Sequence, residues 1–155
     1  GQEDATLGEE LEAVDNYIYI LNVRFAGDIH FNKDVDESLE NVRVPSMILQ
    51  PVVENAVNHG IRDIEWEGKI HLTVTGDADY IRISVKDNGK GMTPEQIESV
   101  LSGNKEHCNE QSDSTGIGMN NVISRLELYY EEPGLVEINS DGENKGTEVV
   151  IYIPV

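Results

Sequence analysis

The chain has 155 residues, which is the usual size of one domain and enough to bury a hydrophobic core. Its 30 acidic and 11 basic side chains give a net charge of -19, which repels phosphate backbones and anionic membrane surfaces. This charge argues against a nucleic-acid-binding protein and leaves divalent cations, or anions held by backbone amides, as ligands.

The chain shows no sign of a disulfide framework or of a membrane segment. One cysteine, Cys108, cannot form an internal disulfide, and we interpret it as an exposed thiol. No apolar run approaches the ~18 residues that a membrane span requires, and the N-terminal segment has no signal-peptide pattern. A cytoplasmic location is the simplest interpretation.

The first segment is predicted to be an amphipathic helix that ends at Gly27. Its apolar positions recur at alternating steps of four and three, as in a short coiled coil or in one stripe that packs on its own domain. We favour packing on its own domain. The apolar positions are Leu7, Leu11, Val14, Ile18, Leu21 and Phe25.

A short strand and a second helix follow. Residues 29–31 alternate between apolar and polar types before a polar turn at residues 34–36. The second helix is predicted to begin at residues 45–46 and to run to about His59, with Gly60 as its C-terminal cap.

The middle of the chain predicts a hairpin and a short helix. Residues 70–74 and 81–85 alternate strictly between apolar and polar types, with a turn at residues 76–78. Thr93 then begins a helix that continues through Leu101.

The last third predicts a long polar loop, a helix and a second hairpin. Residues 102–115 have no apolar period, a helix continues from Gly118 to about Tyr129, and two strands flank a turn at residues 141–142. This order favours an α+β fold, a two-layer α/β sandwich with the helices on one face of a mixed, mostly antiparallel sheet.

Two polar residues continue the apolar phase of their strands. The carboxylate of Asp87 would therefore face the core, directly before a glycine turn at residues 88–91. Thr147, next to Gly146, has the same phase in the last strand, so the two side chains could line one pocket. Taken singly, a strand-end Asp that caps a turn and a Thr bonded to backbone are the simpler interpretations.

The second helix carries four polar residues beside its apolar side. Asn55 and His59 are four residues apart and share one face, while Glu54 and Asn58 share an adjacent face. Asn has poor propensity for the middle of a helix, so a magnesium ligand or a phosphate-facing donor would explain it. A solvated polar face is the alternative.

Residues 116–121 (GIGMNN) end the polar loop and are predicted to open a helix. Glycines at a helix N-terminus present free amides that suit a phosphate, so an acidic protein could hold a triphosphate without a basic patch. The segment is neither a dinucleotide fingerprint nor a P-loop, because the strand, the third glycine and the Lys-Ser or Lys-Thr pair are missing.

These four elements, in this order, resemble the ATP-binding domain of the gyrase, Hsp90, histidine-kinase and MutL superfamily (the Bergerat fold). The resemblance covers nearly the whole chain. Residues 49–60 (LQPVVENAVNHG) resemble the N box, residues 87–92 (DNGKGM) the G1 box, residues 116–121 the G2 box, and residues 146–147 the final Gly-Thr motif.

Three further segments are similar to sensor histidine kinases of the LytS/YehU/YesM type. They are the LQPxxEN form of the N box, residues 17–20 (YIYI) with residues 24–25 (RF), and residues 122–126 (VISRL). In that family the domain is the C-terminal cytoplasmic end of a membrane receptor. The phosphoacceptor histidine lies upstream, in a His-Phe-x-x-Asn motif of a dimeric helical domain.

That upstream motif is missing here, because His30 precedes Phe31 and Asn32 with the wrong spacing and in a strand. We therefore expect residues 1–27 to be the linker helix from an absent dimerisation and phosphoacceptor domain. Residues 28–155 would be the catalytic domain, with an ATP lid at about 103–115.

The resemblance implies a role for each matching residue. Asp87 would accept a hydrogen bond from the adenine amino group, and Thr147 would support that contact. Asn55 would hold Mg²⁺ against the phosphates, with Asn58 and His59 near them. The remaining nucleotide-binding residues that it implies are Gly89, Gly91, Met92, Gly116, Ile117, Gly118 and Met119.

The same resemblance favours a kinase over a vigorous ATPase. Hydrolytic relatives carry a general-base glutamate one helical turn before the metal asparagine, where this chain has Pro51. Glu54 remains as a candidate catalytic residue. Lys90 and Arg125 are candidate phosphate contacts, with a solvated position as the simpler interpretation of Lys90. Phosphoryl transfer to a histidine would depend mostly on positioning and electrostatics.

The implied ligands and partners are MgATP or ADP, the upstream domain of the same protein, and a response regulator that acts through that domain. Three other functions stay open. The chain could be a nucleotide-sensing module without phosphotransfer, a serine kinase of the anti-sigma type, or an α+β interaction domain without a ligand.

Overall fold

The computed structural model of this chain describes residues 4–24, 29–103 and 113–155, with side chains described from residue 118 onward in the last range. The predictions for Phe25, Gly27, Cys108 and residues 104–112 of the lid lie outside the described residues.

Helices and strands alternate irregularly along the chain. The first third contains β1 (Asp4–Thr6), α1 (Leu7–Arg24), β2 (Ile29–Val35), a 3₁₀ turn (Glu37–Leu39) and β3 (Arg43–Pro45). The middle contains α2 (Leu49–Asn55), a π-helical turn (Ala56–Ile61), β4 (Gly68–Gly76), β5 (Tyr80–Asp87) and α3 (Pro94–Ser102). The last third contains α4 (Asp113–Tyr130), β6 (Val136–Asn139) and β7 (Thr147–Pro154).

Five strands form the main sheet in the order β2-β4-β5-β7-β6. β2 runs parallel to β4, and the other neighbouring pairs are antiparallel. The two predicted hairpins are therefore present, and the prediction of an α+β sandwich with a mixed, mostly antiparallel sheet is confirmed.

The second layer is helical, and its apolar residues share one core with the sheet. α1 and α4 both pack on α2, and α3 packs on α4. Leu7, Leu11, Val14 and Ile18 are buried, which confirms that α1 packs on its own domain. Within residues 4–24, 29–103 and 113–155, no helix is both long and apolar enough to span a membrane.

The pairing of β1 with β3 was not predicted from the sequence. Each strand has three residues, which is too short to show an apolar period. The pair fixes the start of α1, where the backbone amide of Leu7 donates to the carbonyl of Val42 at 2.9 Å.

The predicted start of the second helix and its predicted C-terminal cap are wrong. Pro45 lies in β3, and α2 begins at Leu49. Gly60 is not a C-terminal cap, because the chain continues as a π-helical turn to Ile61 and the amide of Arg62 donates to the carbonyl of Val57 at 3.0 Å. Gly60 serves a close approach of two backbone segments instead of a left-handed helix end, as shown below.

The prediction that residues 116–118 open a helix is also wrong, because α4 begins at Asp113. The sequence at residues 113–115 is Asp-Ser-Thr, and these residue types favour the first positions of a helix. Gly116 and Gly118 therefore lie inside α4.

Candidate functional site

The structure brings Asp87 and Thr147 together at one end of the sheet. They are direct register partners on β5 and β7, and their exposed fractions are 6% and 7%. The next row on the same face of the sheet is apolar and contains Val85 and Val149. The two polar groups thus end a buried apolar surface, as the strand phase predicted.

The carboxylate of Asp87 is held by backbone amides. The amide of Gly89 donates to its Oδ1 at 2.8 Å, and the amide of Thr147 also donates to it. Burial raises the pKa of Asp87 from 3.8 to about 6, against the lowering effect of these two amide donors. A partly desolvated carboxylate in this position is a strong acceptor for a donor that enters the site.

Glycines allow the π-helical turn and the strand end to touch. A Cβ at Gly60 would lie 2.7 Å from Cγ of Asp87, and a Cβ at Gly89 would lie 1.9 Å from the carbonyl oxygen of Gly60. The amide of Lys90 donates to that same carbonyl at 2.9 Å. The residue after His59 in the predicted N box is therefore in direct contact with Asp87.

The turn that follows Asp87 is anchored to the turn between β6 and β7. Gly91 and Gly146 have φ values of 76° and 78°, and a Cβ at either would lie within about 2.2 Å of a carbonyl oxygen. The amide of Gly146 donates to the carbonyl of Gly89 at 3.1 Å, and the amide of Asn144 donates to that of Lys90 at 2.7 Å.

Ser140 completes this anchor, and sequence reasoning missed it. Its hydroxyl donates to the carbonyl of Gly146 at 2.7 Å and accepts from the amide of Met92 at 3.0 Å. A serine after a strand has no distinctive spacing, so no sequence signal marked it.

Asn88 faces away from Asp87 and fixes the start of β4. Its Oδ1 accepts from the amide of Lys69 at 2.8 Å, and its Nδ2 donates to the carbonyl of Glu67 at 2.8 Å. The indole nitrogen of Trp66 donates to the backbone carbonyl of Asn88 at 2.7 Å. The turn is thus held from both sides.

Asn55, the last residue of α2, has a side-chain oxygen that fits a metal ligand. Its Oδ1 is buried and accepts no hydrogen bond. Among the described residues, the hydroxyl of Tyr130 is the only other buried side-chain oxygen or nitrogen without a hydrogen-bond partner. Such an atom costs free energy unless a ligand or water satisfies it. An amide oxygen is a ligand type that Mg²⁺ uses, so Asn55 fits the ion that the sequence implied.

No cluster of three His, Cys, Asp or Glu side chains suited to a metal ion is present in the described parts of the chain.

Of the other polar residues of the predicted second helix, Glu54 lies in α2, and Asn58 and His59 lie in the π-helical turn. Asn58 is exposed and His59 is partly buried. Burial, and then the charge of Lys90, lower the pKa of His59 below its ordinary value, so the ring favours the neutral form. Glu54 accepts a hydrogen bond from the side chain of Gln50 at 3.2 Å.

The two candidate cationic contacts differ in their surroundings. Lys90 is exposed beside His59. Arg125 donates to the backbone carbonyl of Ser46 at 3.4 Å, so this guanidinium contacts the segment that leads into α2.

The predicted G2 box does not present free amides at its glycines in this structure. Within α4 the amides of Gly118 and Met119 point along the helix to carbonyls four residues back. The side chain of Met119 is 1% exposed and belongs to the core. A Cβ at Gly118 would meet nothing within 4 Å. Of Gly116 and Ile117 only the helical backbone is described.

Comparison with known proteins identifies the family. Residues 43–155 match the family model described as "Histidine kinase-, DNA gyrase B-, and HSP90-like ATPase". The chain belongs to this family. The resemblance predicted from the four motifs is therefore confirmed.

Curated relatives of the LytS and YesM type match almost the whole chain. It is 34% identical over 152 residues to the sensor histidine kinase YpdA of Escherichia coli, with 98% of this chain and 25% of YpdA covered. It is 31% identical to the sensor histidine kinase YesM of Bacillus subtilis, with 96% and 24% covered. The chain thus spans about a quarter of the length of these relatives.

Solved structures show the same fold. The catalytic domain of histidine kinase ThkA, in a nucleotide-free form, superposes with a TM-score of 0.67 at 22% identity, covering 98% of this chain and 97% of that one. The mycobacterial sensor histidine kinase MprB gives 0.68 at 18% identity, covering 98% and 96%.

Proposed function

We propose that this chain is the ATP-binding catalytic domain of a sensor histidine kinase. It binds MgATP, and the γ-phosphate passes to a histidine on a separate domain. The observation that carries the proposal is the buried carboxylate of Asp87 beside Thr147, at the end of the sheet and against Gly60. Membership of the ATPase family and the relatives named above support it.

In this proposal Asp87 selects adenine. Its carboxylate accepts a hydrogen bond from the exocyclic amino group, whereas guanine presents a carbonyl oxygen at the corresponding position and would be repelled. Thr147 lies beside Asp87 and supports the contact, and Gly89, Gly91 and Met92 shape the adenine side.

The phosphates would lie toward the helical layer. Asn55 holds Mg²⁺ through Oδ1, and the ion would neutralise charge on the phosphates when bound. Asn58 and the neutral ring of His59 lie on the π-helical turn that follows Asn55 and would face the phosphate region. The resemblance places residues 116–119 on its other side. Because these residues lie inside α4, the anion would be met by the first amides of that helix, which begins at Asp113.

The rest of the assignment follows from the family. Residues 1–27 would connect to an upstream dimerisation and phosphoacceptor domain. The lid expected at about 103–115 would end before Asp113, because residues 113–115 belong to α4. A response regulator would receive the phosphoryl group through that upstream domain. The domain would occupy the cytoplasmic end of a membrane receptor.

Pro51 lies where a hydrolytic base would be needed, so phosphotransfer is favoured over ATP hydrolysis. Glu54, next to Asn55, is proposed to assist the transfer.

Calorimetric titration tests the nucleotide site. We expect the chain to bind ATP and ADP with Mg²⁺ and to bind GTP far more weakly. Replacing Asp87→Asn leaves the adenine amino group facing a poorer partner and should weaken ATP binding by about 1–3 kcal/mol, or about 5- to 150-fold.

Ser84→Ala is the matched control. Ser84 is a buried polar residue on the same strand, but its hydroxyl bonds to Glu148 on the opposite face of the sheet. We expect this variant to bind ATP as the unchanged chain does. Equal affinity for ATP and GTP, or an unaltered affinity in Asp87→Asn, would contradict the proposal.

The destination of the phosphate needs a second measurement. We expect a longer protein that includes the upstream domain to acquire an acid-labile, alkali-stable phosphoryl group from ATP. An acid-stable phosphoryl group on serine would favour the anti-sigma type of kinase, and nucleotide binding without any transfer would favour a sensory module.

A further inference from the structure

Glu10 of α1 is a buried acidic residue with no role in the site described above. It is 7% exposed. Its carboxylate accepts three backbone hydrogen bonds, from the amides of Met47 at 3.1 Å, Ile48 at 2.9 Å and Leu49 at 3.2 Å. These amides belong to the first residue of α2 and the two residues before it.

Glu10 thus supplies the cap that α2 lacks locally. The first amides of a helix have no partner within the helix, and a nearby Ser, Thr, Asp or Asn usually satisfies them. Here the N-cap residue is Ile48, whose side chain makes no such bond. A carboxylate at this end is also favoured by the helix dipole.

The capped segment is held in a conformation that it would not adopt alone. Met47 has a φ of 62°, the left-handed region that residues with a side chain rarely occupy. Such a conformation persists only where the surroundings hold it, and the bond from the amide of Met47 to Glu10 is part of that restraint.

The cap lies close to the candidate metal ligand. α2 is seven residues long, with Leu49 first and Asn55 last, so about 9 Å of helix separates the two. The helical path continues beyond Asn55 as the π-helical turn, but Leu49 and Asn55 are only about 1.7 turns apart, so a shift or unravelling at the first turn would move Asn55 as well.

We propose that Glu10 is a positioning residue for the magnesium-bound nucleotide. By capping α2 it fixes the direction in which Asn55 presents its unpaired oxygen, so this side chain of α1 helps to set the geometry of the metal ligand. This inference rests on the proposed function, in which Asn55 holds Mg²⁺.

The experiment compares ATP affinity in Mg²⁺ with ATP affinity in EDTA. The ratio of the two affinities reports the metal contact, and the affinity in EDTA reports the adenine contact at Asp87. In Glu10→Ala we expect the ratio to fall about tenfold, the usual scale for loss of a helix cap, while the affinity in EDTA changes less than about twofold.

Glu10→Gln should give a smaller loss. Its amide oxygen can still accept from Ile48 and Leu49, but its amide group would face the amide of Met47, donor against donor. The expected order of the ratio is therefore unchanged chain, Glu10→Gln, Glu10→Ala, and this graded response would not follow from a general loss of stability.

Glu9→Gln is the matched control for charge. Glu9 precedes Glu10 in the same helix and is exposed, and its carboxylate accepts from the amide and hydroxyl of Thr6, the residue before α1. The variant Glu9→Gln loses the same negative charge, and we expect its ratio of ATP affinity in Mg²⁺ to ATP affinity in EDTA to equal that of the unchanged chain.

Asn55→Ala separates the two levels of the proposal. If this variant keeps the ratio, the metal role of Asn55 fails and the inference fails with it. Suppose instead that Asn55→Ala lowers the ratio of ATP affinity in Mg²⁺ to ATP affinity in EDTA. The role of Glu10 alone is then overturned if a folded Glu10→Ala leaves this ratio unchanged, which includes the case where it weakens both affinities equally. Should Glu10→Ala not fold, Glu10→Gln decides by the same criterion.

Discussion

Asp87 combines a cost in stability with the chemistry of the proposed site. Burial next to Thr147 raises its pKa to about 6, so near neutral pH the folded protein holds a carboxylate that is less stable there than in water. The same desolvation leaves the carboxylate available to a ligand donor. A residue that lowers stability while serving a site is typical of functional positions.

This cost can be measured from the pH dependence of unfolding. Because the folded-state pKa lies above the ordinary value of 3.8, the folded protein binds the proton more tightly than the unfolded chain does. The contribution of Asp87 to stability therefore falls as the pH rises from about 4 to about 6, by about 2–3 kcal/mol. The asparagine of Asp87→Asn has no titrating carboxyl and does not lose stability in this way. We therefore expect the free energy of unfolding of the variant minus that of the unchanged chain to rise by the same amount between about pH 4 and 6. Denaturant unfolding at pH 4, 5, 6 and 7.5 measures it.

Asp77→Asn provides a control of opposite sign. Hydrogen bonds from the amides of Tyr80 and Asp79 lower the pKa of Asp77. Its carboxylate therefore stabilises the folded protein above the ordinary pKa, and this contribution to stability is lost as the pH falls through the lowered value. Parallel unfolding curves for Asp87→Asn and the unchanged chain at every pH would show that Asp87 is not desolvated.

At the scale of elements, strict alternation predicted β4, β5 and β7 and with them the faces of Asp87 and Thr147. A period of two fixes which side chains share a face, and this needs no knowledge of neighbouring strands. The capping box at Thr93, where the hydroxyl accepts from the amide of Gln96 and the Gln96 side chain accepts from the amide of Thr93, also follows from local sequence.

The features that the sequence did not predict depend on contacts between distant segments. Glu10 caps a helix that begins almost 40 residues later, and Gly60 is required by the carboxylate of Asp87 rather than by its own helix. The π-helical turn at Ala56–Ile61 has no compositional signal. Local propensity can place a glycine at a helix end, but it cannot distinguish a left-handed cap from a close approach.

Two helical glycines should therefore respond in opposite ways to alanine. Gly118 lies inside α4 with open space around its Cα, so Gly118→Ala should raise the free energy of unfolding of the nucleotide-free protein by about 0.5–1 kcal/mol. Gly60→Ala should lower it by about 2 kcal/mol, because its methyl group would overlap the carboxylate of Asp87. Denaturant unfolding of both variants checks the pair. A stabilised Gly60→Ala would mean that the contact with Asp87 is not tight, and a destabilised Gly118→Ala would mean that α4 does not extend through residue 118.

At the scale of the whole molecule, the charge of -19 opposes the ligand that the site is proposed to bind. In the proposed site an anion would be met by the first amides of α4 and by a cation held on an amide oxygen, rather than by a basic patch. Its local contacts are therefore short-ranged, whereas the repulsion from the acidic surface acts over a Debye length.

Salt should therefore strengthen ATP binding. Between about 20 and 200 mM KCl, at fixed free Mg²⁺, screening shortens the reach of the surface charge from about 20 Å to less than 10 Å, and we expect ATP affinity to rise about two- to threefold. Adenosine is uncharged and should bind equally well at both salt concentrations, which separates this effect from any change in the adenine pocket. Calorimetric titration of both ligands makes the comparison. A fall in ATP affinity with salt would show that an attractive cationic contact, for which exposed Lys90 is the first candidate, outweighs the acidic surface at the site.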